Sequence, residues 1–410
     1  VADFELENYH FLKDLVQEHD IPCDWASHPV VHAYLDEDMF SLVSKSVADL
    51  KKRHPDLGNQ VQAIGRDDEG GQEKLASLKL PGIPGAVVQQ HAASLWPYKL
   101  VSWVLERLID TLPASEFNLQ TNTPVVELHK NTQSDGGWIV GTSRGRIAAN
   151  TVLLCTNGYT SALLPSFSDL IVPTRGQIAA VLPPRAQSSS VDGQGLPARL
   201  DYSYSFRGTD SGSDGTTLDR NEYLIQRPLP GGEHIFGGGR NRAADLGVGK
   251  WRDDIVEVPV SKWLRGNLSP PLDLTPPGET SKPPAEADDL DQQDLLNASF
   301  EWTGIMGYSR DGHPWVGAVP ESAGGGDGLW ISAGYTGHGM PAAALSARSV
   351  VSQISGDEDK SPVPDAFRVS EERIQQARSK YASVAEMARQ GRYMRTFWHN
   401  AEQDVGSLDS

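Results

Sequence analysis

The sequence predicts a mixed fold, α/β in one region and antiparallel β (α+β) in another, and three observations carry that prediction. Two continuous apolar runs, Val152 to Cys155 and Leu329 to Ala333, each end in turn residues, as strands covered by helices do. The second run feeds a glycine-rich turn (Gly334, Gly337, Gly339) and then a helical stretch, Ala342 to Val351. Between the two runs, from Thr174, short alternating segments are separated by loops rich in Ser, Gly and Asp, the pattern of an antiparallel sheet.

In chain order, residues 2–19 and 39–54 read as helices, the first carrying Phe4, Tyr9, Leu12, Leu15 and Val16 at roughly helical spacing. Residues 65–85 read as a polar connection. Ala86 to Gln90 follows as a short strand, and Pro97 suits the first turn of a helix carrying Leu100, Val101, Val104, Leu105 and Leu108. Three strand candidates come next, FNLQT, PVVELHK and GWIVGTS, then NTVLLCTNGY, whose Asn157-Gly158 sits at the carboxyl end where open α/β sheets collect ligands. The antiparallel region holds Gln177 to Leu182, Tyr202 to Phe206, Glu222 to Gln226 and Glu233 to Phe236, with loops at 186–197 and 208–221. Residues 269–294, proline-rich and acidic, read as a long surface loop. Ser299 to Ile305 reads as the strand returning to the first region, and 366–392 as a terminal helix. There is no internal repeat.

At 410 residues the chain is long enough for two domains or one large one, and its net charge of −18 argues against nucleic acid, whose phosphates need clustered Lys and Arg. No run approaches 18 apolar residues, so no membrane helix is expected. The acidic, amphipathic start VADFELENYHFLKDL has no signal-peptide pattern and no initiator Met, so the expectation is a cytoplasmic chain, processed or a fragment. The two cysteines, Cys23 and Cys155, are too few for a disulfide framework, and Cys155 reads as a small core residue. No histidine cluster has metal-ligand spacing, so no metal is expected.

The turn carries the chemistry. A strand entering a glycine turn at a helix N-terminus leaves several N–H groups aimed at one spot, which the helix dipole makes favourable for negative charge. Gly337 to Ala342 fits G-x-G-x-x-A. A dinucleotide reading would place an acidic residue on a following strand, but Asp357 and Glu358 lie in SGDEDKSPVPD, which is no strand. The turn therefore closes a domain, and an NAD-dependent dehydrogenase is the weakest reading.

Six stretches, ASLWPYKLV (93–101), NTPVVELHK (122–130), TVLLCTNGY (151–159), PTRGQ (173–177), WTGIMGYSRDGHPWVG (302–317) and LWISAGYTGHGMPAAALSARSV (329–350), occur in an order that resembles the flavin-dependent amine oxidoreductases of the D-amino-acid oxidase and sarcosine oxidase type, nearest to the γ-glutamylputrescine-oxidising branch. The resemblance implies a Rossmann-like FAD-binding domain (86–175 and 300–355) interleaved with a substrate domain (1–85 and 176–299), and a helical tail at 356–410. It implies that Gly334, Tyr335, Thr336, Gly337, Gly339 and Met340 line the N1–C2=O edge of the isoalloxazine, where negative charge builds on reduction. Arg310 and the Gly312-His313-Pro314 segment would cross near the same ring, Val125 would approach the adenine, and Thr156, Asn157 and Gly158 would line the FAD cleft.

His338 in the turn either assists the reduced flavin or fills space, and Arg310 either pairs with a carboxylate or touches substrate. Two departures from the family matter. The ADP-binding βαβ unit with its G-x-G-x-x-G has no counterpart, since the glycines at 237–239 lack a strand–helix context; a truncated oxidase is the expectation. The arginine that clamps an α-carboxylate is replaced by Met306 in Gly304-Ile305-Met306-Gly307, which favours amines over simple α-amino acids, with Arg175 or Arg310 reaching in from another direction and Trp302, Tyr308 and Met306 as an apolar wall. The expected function is oxidation of a small-molecule amine by FAD with dioxygen as reoxidant. The competing reading is a non-catalytic relative that keeps the scaffold as a binding protein.

Overall fold

The computed structural model describes residues 1–132, 136–184, 199–211, 217–229, 231–269, 271–275 and 295–389. The expected loop at 186–197, most of that at 269–294 and the end of the helix expected over 366–392 lie outside these residues. The strands are β1 (Ala26–Tyr34), β2 (Val61–Gly65), β3 (Gly85–Ser94), β4 (Val125–Lys130), β5 (Trp138–Thr142), β6 (Gly145–Ala149), β7 (Val152–Leu154), β8 (Ile171–Val181), β9 (Ser203–Ser211), β10 (Thr217–Gln226), β11 (His234–Gly238), β12 (Ala298–Ser309), β13 (Trp315–Ala318) and β14 (Leu329–Ala333).

They form one large and two small sheets. The large sheet has eight strands in the order β12-β8-β11-β10-β9-β1-β3-β2, and the small ones run β13-β14-β7 and β4-β5-β6. The large sheet is antiparallel as expected except where β1 meets β9 in parallel, which makes it mixed. Two pairings differ from the sequence reading. β3, taken as the start of the cofactor region, pairs with β1 and β2; β12, taken as the return to that region, pairs with β8 along its length. Neighbourhood in the sequence indicates a strand but not its partner, which only long-range packing decides. FNLQT forms no strand, and GRIAA forms β6.

One face of the large sheet is the main core. Val31, Ala33, Tyr204, Phe206, Leu224 and Phe236 pack beneath the helix Val258–Gly266 through Val260, Trp263 and Leu264. Phe206 and Phe236 meet edge to face at 6.1 Å, and each fully buried ring contributes about 2–3 kcal/mol. The helix Glu37–Arg53 covers the β1-β3-β2 end of the opposite face through Val47 and Phe40. The rest of that face belongs to the candidate site.

The first helix, Ala2–Glu18, buries Phe4, Asn8 and Val16, one face at multiples of four residues. The expected terminal helix is two, Glu371–Lys380 and Val384–Arg389, the first capped by Ser370 accepting from the Arg373 N–H. Helix Pro97–Thr111 starts with Pro in its first turn and buries no residue, its Tyr98, Val101 and Ile109 exposed. Among the described residues, no helix is long and apolar enough to cross a membrane, and no group of acidic, His and Cys residues is arranged to hold a metal.

Candidate active site

The two apolar runs are adjacent parallel strands. β14 lies beside β7 with Leu329, Trp330 and Ile331 opposite Val152, Leu153 and Leu154, so both strands end on the same edge. The Asn157 bend and the Gly334–Met340 turn leave from that edge together, as expected for a ligand site in an α/β sheet. Asn157 holds them in place: its Oδ1 accepts from the backbone N–H of Gly334 (3.0 Å) and of Tyr335 (3.3 Å). Beside it, the Thr156 and Thr160 hydroxyls bond at 2.9 Å. Cys155 is exposed rather than a core residue, because β7 ends one position earlier than its apolar run.

The turn is fastened to β12. The Thr336 N–H donates to Gly307 O at 2.7 Å, and its hydroxyl accepts from the Ser309 N–H at 3.1 Å. Gly158 sits against the same strand, where a Cβ would lie 2.7 Å from Met306 O. Gly337 has φ +72°, and a Cβ on it would stand 3.2 Å from Met306 Sδ and 3.3 Å from the Tyr308 hydroxyl. The turn thus lies directly over Met306 and Tyr308, two of the three residues expected to wall the substrate. Trp302, the third, is on the same face of β12, one repeat of four residues further along.

The backbone donors of the turn divide into used and unused. His338 N–H donates to Tyr335 O, and Ala342 and Ala343 N–H donate to Gly339 O. The N–H groups of Gly337, Gly339 and Met340 have no acceptor among the described residues. The helix behind them, Ala343–Ser355, is held by Asn8 of the first helix, which donates to Met340 O (3.1 Å) and accepts from Leu345 N–H (3.0 Å). Nothing in the sequence separates Asn8 from the polar face of its helix, so the cap is legible only in the fold. Three unused donors in one turn suit the pyrimidine edge of a flat ring that gains negative charge.

Other expected residues fall elsewhere. Arg310 is not beside the turn: it donates to Asp169 (3.0 Å) and to the carbonyls of Arg378 and Tyr381, because the tail helix supplies acceptors that the sequence did not reveal. Arg175 is on the face of β8 opposite Met306, where it pairs with Glu257 and donates to Arg252 O. Neither side chain reaches in toward Met306. His338 is 69% exposed, its Nε2 3.4 Å from Glu5. Val125, on β4, and Met340 are exposed. Tyr335 bonds Ser332 at 2.8 Å, and burial raises its pKa.

The Arg310–Pro314 segment is a rigid loop. Gly312 takes φ +83°, the His313 N–H donates to Asp311 Oδ1, and burial lowers the His313 pKa. Arg373 of the tail grips Asp311 with two bonds (2.8 and 3.0 Å), donates to the carbonyls of His313 and Pro314, and lies 3.8 Å above the Trp315 ring. The glycines at 237–239 are structural: the Tyr223 ring fills the space a Gly237 side chain would take. A cavity of about 350 Å³ lined by Val258, Ser261, Lys262 and Glu301 lies by the helix Val258–Gly266 and has no part in this site.

Parallel strands ending at a donor-rich glycine turn, beside a second, mixed sheet, fit a flavin oxidoreductase. The chain belongs to the family of FAD-dependent oxidoreductases (DAO), whose model matches residues 1–353, and FAD is its cofactor. Solved structures share the fold. Glycine oxidase from Geobacillus kaustophilus aligns with TM-score 0.63 at 16% identity over 89% of this chain and 82% of that one. L-Proline dehydrogenase from P. horikoshii gives 0.57 at 16% over 89% and 81%. Iminodiacetate oxidase from Chelativorans sp. BNC1 gives 0.57 at 15% over 88% and 82%. No curated protein matches the chain.

Proposed function

We propose that the chain oxidises the C–N bond of a small amine, with FAD as the acceptor and dioxygen as the reoxidant. The observation that carries this reading is the Gly334–Met340 turn, whose Gly337, Gly339 and Met340 N–H groups are unused among the described residues and whose Gly337 stands over Met306 and Tyr308. Bound at the turn, FAD would supply the acceptor for a hydride from the substrate carbon that bears the nitrogen. The protein's share is orientation and electrostatics. The three N–H groups would hold the ring edge on which charge accumulates, and Asn157 fixes the turn that carries them. Met306 and Trp302 would give the substrate apolar contacts, and beside them the Tyr308 hydroxyl accepts from Arg240 at 2.7 Å. Glycine oxidase, proline dehydrogenase and iminodiacetate oxidase, named among the shared folds, are enzymes of C–N compounds, which supports the reaction class.

The test is reconstitution of the purified chain with FAD, followed by anaerobic addition of primary and secondary amines. Bleaching of the visible flavin band by an amine, restored by admitting air, is the expected result. A chain that retains FAD and is bleached by none of a broad amine panel refutes the reading.

A further inference from the structure

The helix Glu371–Lys380 lies beyond residues 1–353, the part of the chain that the family's model matches, yet it supplies the cation that holds the Arg310–Pro314 loop. A guanidinium offers five N–H donors, and Arg373 commits all of them. Two go to Asp311 (2.8 and 3.0 Å), and one each to the carbonyls of His313 (3.0 Å), Pro314 (2.9 Å) and Arg368 (3.2 Å). The Arg373 and Asp311 side chains are 11% and 9% exposed. A desolvated ion pair adds little net stability over an apolar contact, but it admits only one arrangement of its partners. Ile374 and Ala377 already bury the apolar side of the helix, so what Arg373 adds is the fixed place of the loop.

From Arg373 the contacts lead to the Gly334–Met340 turn by two routes. In the first, Asp311 Oδ1 accepts from the Ser309 hydroxyl at 2.8 Å, and the Ser309 N–H donates to the Thr336 hydroxyl at 3.1 Å. In the second, the Arg373 guanidinium lies 3.8 Å from the centre of the Trp315 ring, whose Nε1 donates to Ser309 Oγ at 2.9 Å. That ring stands against the start of the turn: a Cβ on Gly334 would be 3.0 Å from Trp315 Cδ1. Ser309 and Trp315 are fully buried, so no water replaces a partner that either loses. Groups packed this closely shift together or not at all.

We propose that Arg373 is a positioning residue for the flavin site: by fixing Asp311, Ser309 and Trp315 it sets where the turn presents its unused N–H groups, and so how strongly reduced FAD is held relative to oxidised FAD. This rests on the reading of the turn given above, in which those N–H groups meet the ring edge that gains charge on reduction. Hydrogen-bond donors weaken steeply when misaligned, so a small shift of the turn weakens the charged, reduced state more than the oxidised one. Arg373 touches neither the ring nor the substrate in this scheme and acts on the geometry of the donors alone.

The test measures the midpoint potential of bound flavin in the FAD-loaded full chain. In Arg373→Gln the affinity for reduced relative to oxidised FAD falls roughly tenfold, about 30 mV for a two-electron couple, and Arg373→Lys recovers part of it. Ser309→Ala leaves the ion pair intact and shifts the potential in the same direction. Adding Arg373→Gln to it changes little further, as expected of residues on one path. Arg378→Gln, which removes three bonds from the same helix to Asp169 and Ser166, lowers the melting temperature and leaves the potential unmoved. A second readout needs no flavin: amide hydrogen exchange of the segments holding Ser309 and Thr336 speeds up roughly tenfold, relative to the β1–β3 pair, in Arg373→Gln and not in Arg378→Gln. A potential unmoved in Arg373→Gln, one moved equally by Arg378→Gln, or shifts that simply add in the double variant overturn the proposal and leave amine oxidation standing. A shifted potential and faster exchange in Arg373→Gln, in a chain whose flavin no amine reduces, keep the role of Arg373 and remove the amine reading.

Discussion

Replacing Asn157 by alanine tests whether the turn is held as the structure indicates. Two backbone donors lose their acceptor, Gly334 N–H at 3.0 Å and Tyr335 N–H at 3.3 Å. Gly334 is buried and Tyr335 partly so, which puts most of the penalty on the first, about 1–3 kcal/mol for a buried donor left unpaired. Asn157 also sits at φ +42°, a conformation that alanine adopts at an added cost of about 1–2 kcal/mol. The expected loss is about 2–5 kcal/mol in urea unfolding. Asn157→Asp separates structure from chemistry, because a carboxylate still accepts both bonds yet adds negative charge beside the donors meant for the reduced ring. Its stability stays near that of the parent, and the midpoint potential of bound flavin becomes more negative. An alanine variant within about 0.5 kcal/mol of the parent would show that Asn157 does not hold the turn, and the site geometry would need another anchor.

Four further outcomes follow from the same contacts. Asn8→Ala frees Met340 O and Leu345 N–H and lowers stability by about 2 kcal/mol in chemical denaturation. Arg373→Ala leaves Asp311, whose side chain is 9% exposed, without its counter-ion and costs about 3–5 kcal/mol; Arg373→Lys recovers part of it, read from the melting temperature. His234 is 1% exposed with neither ring nitrogen bonded, and burial takes its pKa from the usual 6.5 to about 4. Because the unfolded chain binds that proton first, stability is full above pH 6.5 and falls by up to about 3 kcal/mol as pH drops toward 4, a slope that His234→Phe flattens in urea titrations at stepped pH. Gly307→Ala places a Cβ 2.6 Å from Asn157 Oδ1 and 2.9 Å from Gly158 N, so FAD affinity measured by flavin fluorescence drops while the far-UV spectrum is unchanged.

The parts of the site legible in the sequence are those that local pattern dictates. The apolar runs of β7 and β14 and the glycines after them indicate strands and a turn because few other backbones accept that order of residues. Met306 and Tyr308 were legible as neighbours of the turn only through the likeness to a family. Asn8 and Arg373 were invisible, since each reads as an ordinary polar helix residue until a partner more than fifty positions away is placed beside it. Arg175 and Arg310 failed in the opposite sense: each is a prominent arginine near a motif, and each is bound to a carboxylate the sequence could not rank as a partner.

β12 is what converts these separate features into one site. It is the edge strand of the large sheet, and along its free side it receives the Thr336 N–H and presses on Gly158 and Asn157. The alternation of the same strand puts Met306 and Tyr308 on one face and Ile305 and Gly307 on the other. The Gly334–Met340 turn and the site face of the large sheet therefore meet at Met306 and Tyr308. Two glycines, Gly158 and Gly307, set how closely the Asn157 bend and the strand approach, and a single methyl at either forces them apart. The position of the turn relative to the sheet face is thus fixed by backbone contact, which is why so little of it resembles an acid–base constellation.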